Sequence, residues 1–194
     1  FLKWTTVLGV WGVVIFLLAA AWYASDLPNV GKAFNASRKP TVTILSADGE
    51  VLARTGDVYG KLVRLKQLPP SLPAAVLATE DRRFYSHFGI DIFGLTRAMI
   101  ANIKAKRIVQ GGSTITQQVA KNLFLTPERT LKRKFQELLL ALWLERKFSK
   151  EQILSIYLNR VYLGSGTYGV DAASRKYFNR PAKSISTYQA AMLA

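Results

Sequence analysis

The chain has 194 residues, a formal charge of +15 and no cysteine. That length leaves room for a membrane span and one domain of about 150 residues that buries its own core. Disulfides and thiolate chemistry are excluded, and the charge asks for an anionic partner: nucleic acid, a phospholipid surface or a phosphorylated substrate.

Position 1 is Phe, as expected of numbering that begins inside a longer or processed chain. From Trp4 to Ser25 no residue is charged, a run of about 22 positions where roughly 20 cross a bilayer. Trp4, Trp22 and Tyr23 lie near its ends, as interfacial aromatics do. Residues 1–25 therefore read as a retained transmembrane anchor; a cleaved signal peptide, cut near Ala19-Ala20-Ala21, is the alternative. Residues 26–40 read as a juxtamembrane linker in which Lys32, Arg38 and Lys39 rest on anionic headgroups or are solvated.

Residues 41–194 read as one mainly α-helical domain. It begins with a small β-hairpin, because Thr41–Leu45 and Val51–Ala53 flank the turn signal Asp48-Gly49. Ser71 and Pro73 start a short apolar helix. Ile92, Leu95, Met99, Ile100 and Ile103 give the stretch Asp91–Lys106 one buried helical face. Gly111-Gly112-Ser113-Thr114 opens a helix running to Phe124, and Thr126-Pro127-Glu128 reads as the start of the next, which runs to about Lys147. Ser149 with Gln152 and Ser186 with Gln189 cap two more helices. Gly164, Gly166 and Gly169 mark a loop between them.

The chemistry centres on Thr79-Glu80-Asp81-Arg82-Arg83-Phe84-Tyr85-Ser86-His87-Phe88-Gly89. Glu80 falls near the C-terminal end of its helix, where partial negative charge disfavours another anion. Apolar neighbours push the same way, so a raised pKa and a general-base role are expected of Glu80; a solvated Glu-Asp-Arg-Arg turn is the alternative. Ser113 and Thr114 stand at a helix start whose free N–H groups can cradle phosphate, or simply form an ordinary Gly-Ser helix start. On the long helix Arg129, Arg133 and Glu137 share a face, with Lys134 adjoining Glu137, while Leu131, Phe135, Leu138 and Leu142 form an opposing apolar stripe. This is either a surface lattice of ion pairs or a cleft wall whose cations hold Glu137 ionised. Two carboxylates pushed apart in character are the usual acid–base assignment.

From Arg97 to Lys150 there are 12 Lys/Arg against three acids, yet no nucleic-acid-binding motif accompanies them. His87 is the only histidine, which excludes a histidine-based metal site and leaves it a structural hydrogen-bonding role. Trp143, Tyr157, Tyr162 and Tyr168 read as core.

Four motifs in order carry a resemblance: Glu80-Asp81-Arg82-Arg83-Phe84-Tyr85-Ser86-His87-Phe88-Gly89, Gly112-Ser113-Thr114-Ile115-Thr116-Gln117-Gln118, Arg133-Lys134-Phe135-Gln136-Glu137, and Lys150-Glu151-Gln152-Ile153-Leu154-Ser155-Ile156-Tyr157-Leu158-Asn159. The chain resembles the peptidoglycan glycosyltransferase (family 51) domain of class A penicillin-binding proteins and monofunctional transglycosylases from roughly Thr41 onward. A last motif of that family falls near Gln189–Leu193, where the sequence stops.

The resemblance implies a lysozyme-like, two-lobed helical fold, and polymerisation of lipid II at the outer face of the cytoplasmic membrane by a single-pass protein. It makes Glu80 the base on the acceptor sugar hydroxyl. Glu137 becomes the group that stabilises the departing pyrophosphate or its divalent ion, Mg or Mn, with no organic cofactor. Lys121, Arg129, Arg133 and Lys134 become a cationic cradle, and Ser113, Thr114 and Gln118 hold phosphate and sugar oxygens. Asp81, Phe84, His87, Gly89, Tyr157 and Asn159 support the site. The implied partners are lipid II, the growing glycan strand, the membrane and other cell-wall synthesis proteins, with no nucleic acid. Ile92 through Val109 would be an apolar jaw dipping into the membrane. A lysozyme-like hydrolase on the same fold and a non-enzymatic basic scaffold at the membrane are the rival readings. The hydrolase leaves Lys121, Arg133 and Lys134 unexplained.

Overall fold

The computed structural model describes residues 42–194 except 57, 127 and 129, together with 3, 4, 6, 7, 9–12 and 14. The linker 26–40, most of the anchor 1–25 and Arg129 lie outside the described residues. Among the described residues no helix is long and apolar enough to cross a membrane.

The hairpin forms as expected. β1 (Val42–Leu45) pairs antiparallel with β2 (Val51–Thr55), with an irregularity between Ile44 and Leu45. Gly49 closes the turn at φ 82°, a conformation in which a side chain is strained, and donates its N–H to the Ser46 carbonyl. β3 (Val58–Tyr59) pairs in parallel with β4 (Thr167–Tyr168), which joins the start of the domain to its last third. The glycine-marked loop holds this two-residue strand, and the Tyr59 ring stacks on Tyr168 at 5.2 Å beside the pairing.

Among the described residues from Ser71 onward, seven α-helices make the body: α1 (Ser71–Glu80), α2 (Ile92–Ala105), α3 (Ile115–Phe124), α4 (Leu131–Lys147), α5 (Lys150–Arg160), α6 (Val170–Phe178) and α7 (Thr187–Leu193). Three start on reciprocal capping boxes, Thr114/Gln117, Ser149/Gln152 and Ser186/Gln189, each satisfying two otherwise orphaned N–H groups. α3 is central. It packs against both α4 and α5, while α1 packs against α7. Phe84, Leu72, Ile115, Leu144, Ile153 and Leu158 form the fully buried centre.

Three expectations are corrected. α4 starts at Leu131 rather than near Thr126, because the Thr130 hydroxyl accepts the Arg133 N–H at 3.1 Å and makes Thr130 the cap. The supposed apolar stripe of α4 is not its buried face: Leu131 is 91% exposed, while Glu137, Leu140, Ala141 and Leu144 face the core. The inward row is set by α3 lying against that side, so tertiary packing overrides the local pattern. Tyr162 is exposed, unlike the buried Tyr157.

Candidate active site

Glu80 is the last residue of α1, exposed at the helix end, and its Oε2 accepts a hydrogen bond from Gln118 Nε2 at 2.7 Å. This pair stands between two hollows. A cleft of about 600 Å³ is lined by Glu80, Arg97, Gly111, Ser113, Thr114 and Gln118 among others. A smaller pocket of about 160 Å³ brings Glu80 and Gln118 against Val76, Tyr157, Tyr162 and Leu193. The apolar surroundings expected for Glu80 are thus confined to one side. Tyr157 lies close enough that burial first, and then the Glu80 charge, push its phenol above the ordinary tyrosine range. Its hydroxyl stays protonated.

The residue after Glu80 has a different task. Asp81 is buried; both its oxygens meet His87 Nε2, at 3.0 and 3.1 Å, and Oδ2 also accepts the Ile115 N–H at 3.1 Å. A carboxylate on the first N–H of α3 suits the positive end of that helix. Thr114, which caps α3, donates its hydroxyl to the Gly89 carbonyl at 2.7 Å. Gly89 has φ 79°, and a Cβ there would meet Glu145 Cγ at 3.1 Å and the Ala141 carbonyl oxygen at 3.2 Å. The loop from Glu80 to Gly89 is therefore sewn to the start of α3 at three points, with Phe84 wholly buried beneath it.

The cationic side begins at Lys134. Its Nζ donates to Ser113 Oγ at 2.7 Å, Glu137 Oε1 at 3.2 Å and, more weakly, Gln117 Oε1 at 3.4 Å. Glu137 is 2% exposed, which overturns the surface ion-pair lattice as a description of this face. Glu137 does not line the Glu80 cleft; it reaches it through Lys134 and Ser113. Arg133 is half-buried with a buried Nε that has no hydrogen-bond partner, and Lys121 is half-buried one turn along α3 from Gln118.

Glu145 and Lys150 extend this framework and were not singled out from sequence as site residues. Glu145 Oε1 accepts from Thr116 Oγ1 at 2.6 Å and Lys150 Nζ at 2.7 Å, and that Nζ lies 4.4 Å from the Phe84 ring centre. Arg97 was counted only as charge, yet it lines the cleft from α2. Asn159 is not at the cleft. Its side chain brackets Val63, accepting the N–H and donating to the carbonyl, both at 2.9 Å. Among the described residues no group of three or more His, Asp or Glu is placed to hold a metal ion, and Glu137 engages Lys134.

These features define a class: a helical domain with an exposed carboxylate at its cleft and a lysine that links a cleft hydroxyl to a second, buried carboxylate. The transglycosylase family model matches residues 48–194. Penicillin-binding protein 1A of Aquifex aeolicus is 51% identical over 152 residues, covering 75% of this chain and 21% of that protein. The proteins of the same name from Neisseria gonorrhoeae and Pseudomonas aeruginosa are each 40% identical, over 95% and 100% of this chain and 23% and 24% of their own lengths. The chain belongs to the transglycosylase family, and it spans about a fifth to a quarter of the length of these relatives.

Proposed function

We propose that residues 41–194 are the catalytic domain of a membrane-anchored peptidoglycan glycosyltransferase. It polymerises lipid II, a disaccharide-pentapeptide on undecaprenyl pyrophosphate, into β-1,4 glycan on the outer side of the cytoplasmic membrane. The observation that carries this reading is Glu80, exposed and hydrogen-bonded to Gln118, on the same cleft as the Ser113 hydroxyl that Lys134 grips.

In this reading Glu80 takes the proton from the 4-hydroxyl of the acceptor sugar. That oxygen forms its new bond to the anomeric carbon of the growing strand from the face opposite the lipid. The bond from that carbon to the pyrophosphate oxygen breaks, and the α-linked donor becomes a β-linked product. Charge develops on the departing pyrophosphate, and preorganised donors there lower the barrier by several kcal/mol. Lys134 and Arg133, with its unpartnered Nε, are the groups suited to it; Lys121 and Arg129 complete the cradle, and Glu137 holds Lys134 in place. Ser113, Thr114 and Gln118 orient phosphate and sugar oxygens. The cleft would lie between two lysozyme-like lobes. Residues 1–25 would anchor the protein, with the exposed apolar side chains Ile92, Phe93, Met99, Ile103 and Ile108 resting in the bilayer.

The test is lipid II polymerisation by wild type, Glu80→Gln and Glu137→Gln. Each variant should lose about a hundredfold or more of the rate while keeping its helical circular dichroism. Full activity in Glu80→Gln refutes the assignment. Finished glycan offered in place of lipid II should stay intact; its shortening would favour the hydrolase.

A further inference from the structure

Away from the Glu80 cleft, two hollows flank Leu62. One, about 740 Å³, has an apolar floor of Val63, Leu123 and Ile156 and is bounded by Arg64 and Arg160. The other, about 650 Å³, runs from Val63 to Pro181 and is bounded by Lys61, Arg175 and Lys183. Leu62 and Val63 line both, so the two form one groove, with the 71% exposed Leu62 as its ridge.

The ridge lies beyond the end of β3 at Tyr59, but its backbone is bonded as a strand edge would be. Lys61 donates its N–H to Asp171 Oδ2 at 3.0 Å, and Val63 has both backbone groups taken by Asn159. Alternate residues bonded inward is the pattern of extended chain, which turns the N–H and C=O of Leu62 outward. Arg64 is occupied on both sides by Gln67, so the edge is one residue long, enough to exchange one antiparallel pair of bonds. The rim is of one sign. Its single carboxylate among the described residues, Asp171, pairs with Arg175 at 2.9 Å and accepts the N–H groups of Lys61 and Ala182, so Lys61, Arg64, Arg160 and Lys183 carry the net charge of the rim.

We propose that this groove docks an extended segment of another protein in which acidic and apolar residues alternate. The segment pairs its backbone with Leu62, places an apolar side chain in each hollow, and sets its carboxylates against the basic rim. A bilayer would meet the same cations, but it has no use for the N–H and C=O of Leu62. Neither hollow shares a residue with the Glu80 cleft, so a docked segment leaves that cleft open.

The probe is a fluorescent peptide alternating glutamate and leucine, titrated by anisotropy against the full chain in neutral detergent, beside a lysine–leucine peptide and vesicles of phosphatidylglycerol. The acidic peptide should bind and the basic one should not. Arg64→Glu and Lys183→Glu, one for each hollow and both exposed, should each weaken binding about tenfold with unchanged thermal unfolding. Leu62→Pro, which removes the outward N–H, should weaken it too, whereas Leu62→Val, which keeps that N–H, should not. The proposal is overturned if the acidic peptide does not bind, if both charge reversals leave its affinity unchanged, or if the vesicles, and not the peptide, depend on Arg64 and Lys183.

Discussion

Glu80 and Asp81 are adjacent carboxylates in different environments. The first is exposed with one side-chain amide on it, and the second is buried with a ring N–H and a helix N–H. Glu80, Ser113 and Gln118 could be read from sequence because each sits in a short motif. Asp171 and Glu145 could not, since their hydrogen bonds reach to Lys61, 110 positions away, and to Thr116, 29 positions away. Burial alone would raise the Asp171 pKa, but the hydrogen bonds from Arg175, Ala182 and Lys61 and the Arg175 charge outweigh it and hold the carboxyl below its usual value of 3.8. A depressed carboxyl stabilises the fold above its unfolded pKa and loses that contribution as pH falls through the folded value. Asp171→Asn should therefore flatten the fall in thermal stability below about pH 4, and an acid limb identical to wild type would contradict this. At Gly89, Ala should cost about 1–3 kcal/mol in chemical denaturation, because both the positive φ and the approach to Ala141 oppose a methyl group.

Among the elements, those with a local start signal were legible: three capping boxes fell where Ser or Thr precedes Gln by three. α6 was hidden because Gly169, at φ 82° and with no side-chain cap, begins it directly from the glycine-rich stretch. The start and orientation of α4 were misread for a different reason. Thr126-Pro127 and Thr130 both look like starts, and the row containing Glu137 looks polar until α3 covers it. Thr130→Ala should lower stability by about 1 kcal/mol, and Thr126→Ala should leave it unchanged. On the same helix Leu140→Ala should cost about 2–5 kcal/mol while Leu131→Gln, at 91% exposure, costs nothing measurable in a denaturant titration.

At the scale of the molecule, a mainly helical domain and its excess of cations follow from periodicity and composition, but where the apolar surface is left bare does not. Of the α2 face expected to be buried, Ile92, Leu95, Met99, Ile100 and Ile103 are all exposed, as is Phe93, and the one buried residue of the helix is Ala98. Phe93→Asp and Ile103→Asp should reduce cosedimentation with anionic vesicles at both low and high salt without lowering the melting temperature. A purely electrostatic attachment would instead vanish in high salt and ignore both substitutions.

One consequence of the stitching around α3 concerns motion. Residues 80 and 81 are fastened to that helix twice, through the Gln118 amide and the Ile115 N–H, so the carboxylate and the hydroxyls of Ser113 and Thr114 travel as a single block. The opposite wall is fastened by a different device: Asn102 of α2 holds the Val109 and Gln110 backbone through three hydrogen bonds, and a Cβ at Gly111 beside it would meet nothing within 4 Å. Any ligand entering the cleft therefore meets that carboxylate and those hydroxyls at a fixed spacing.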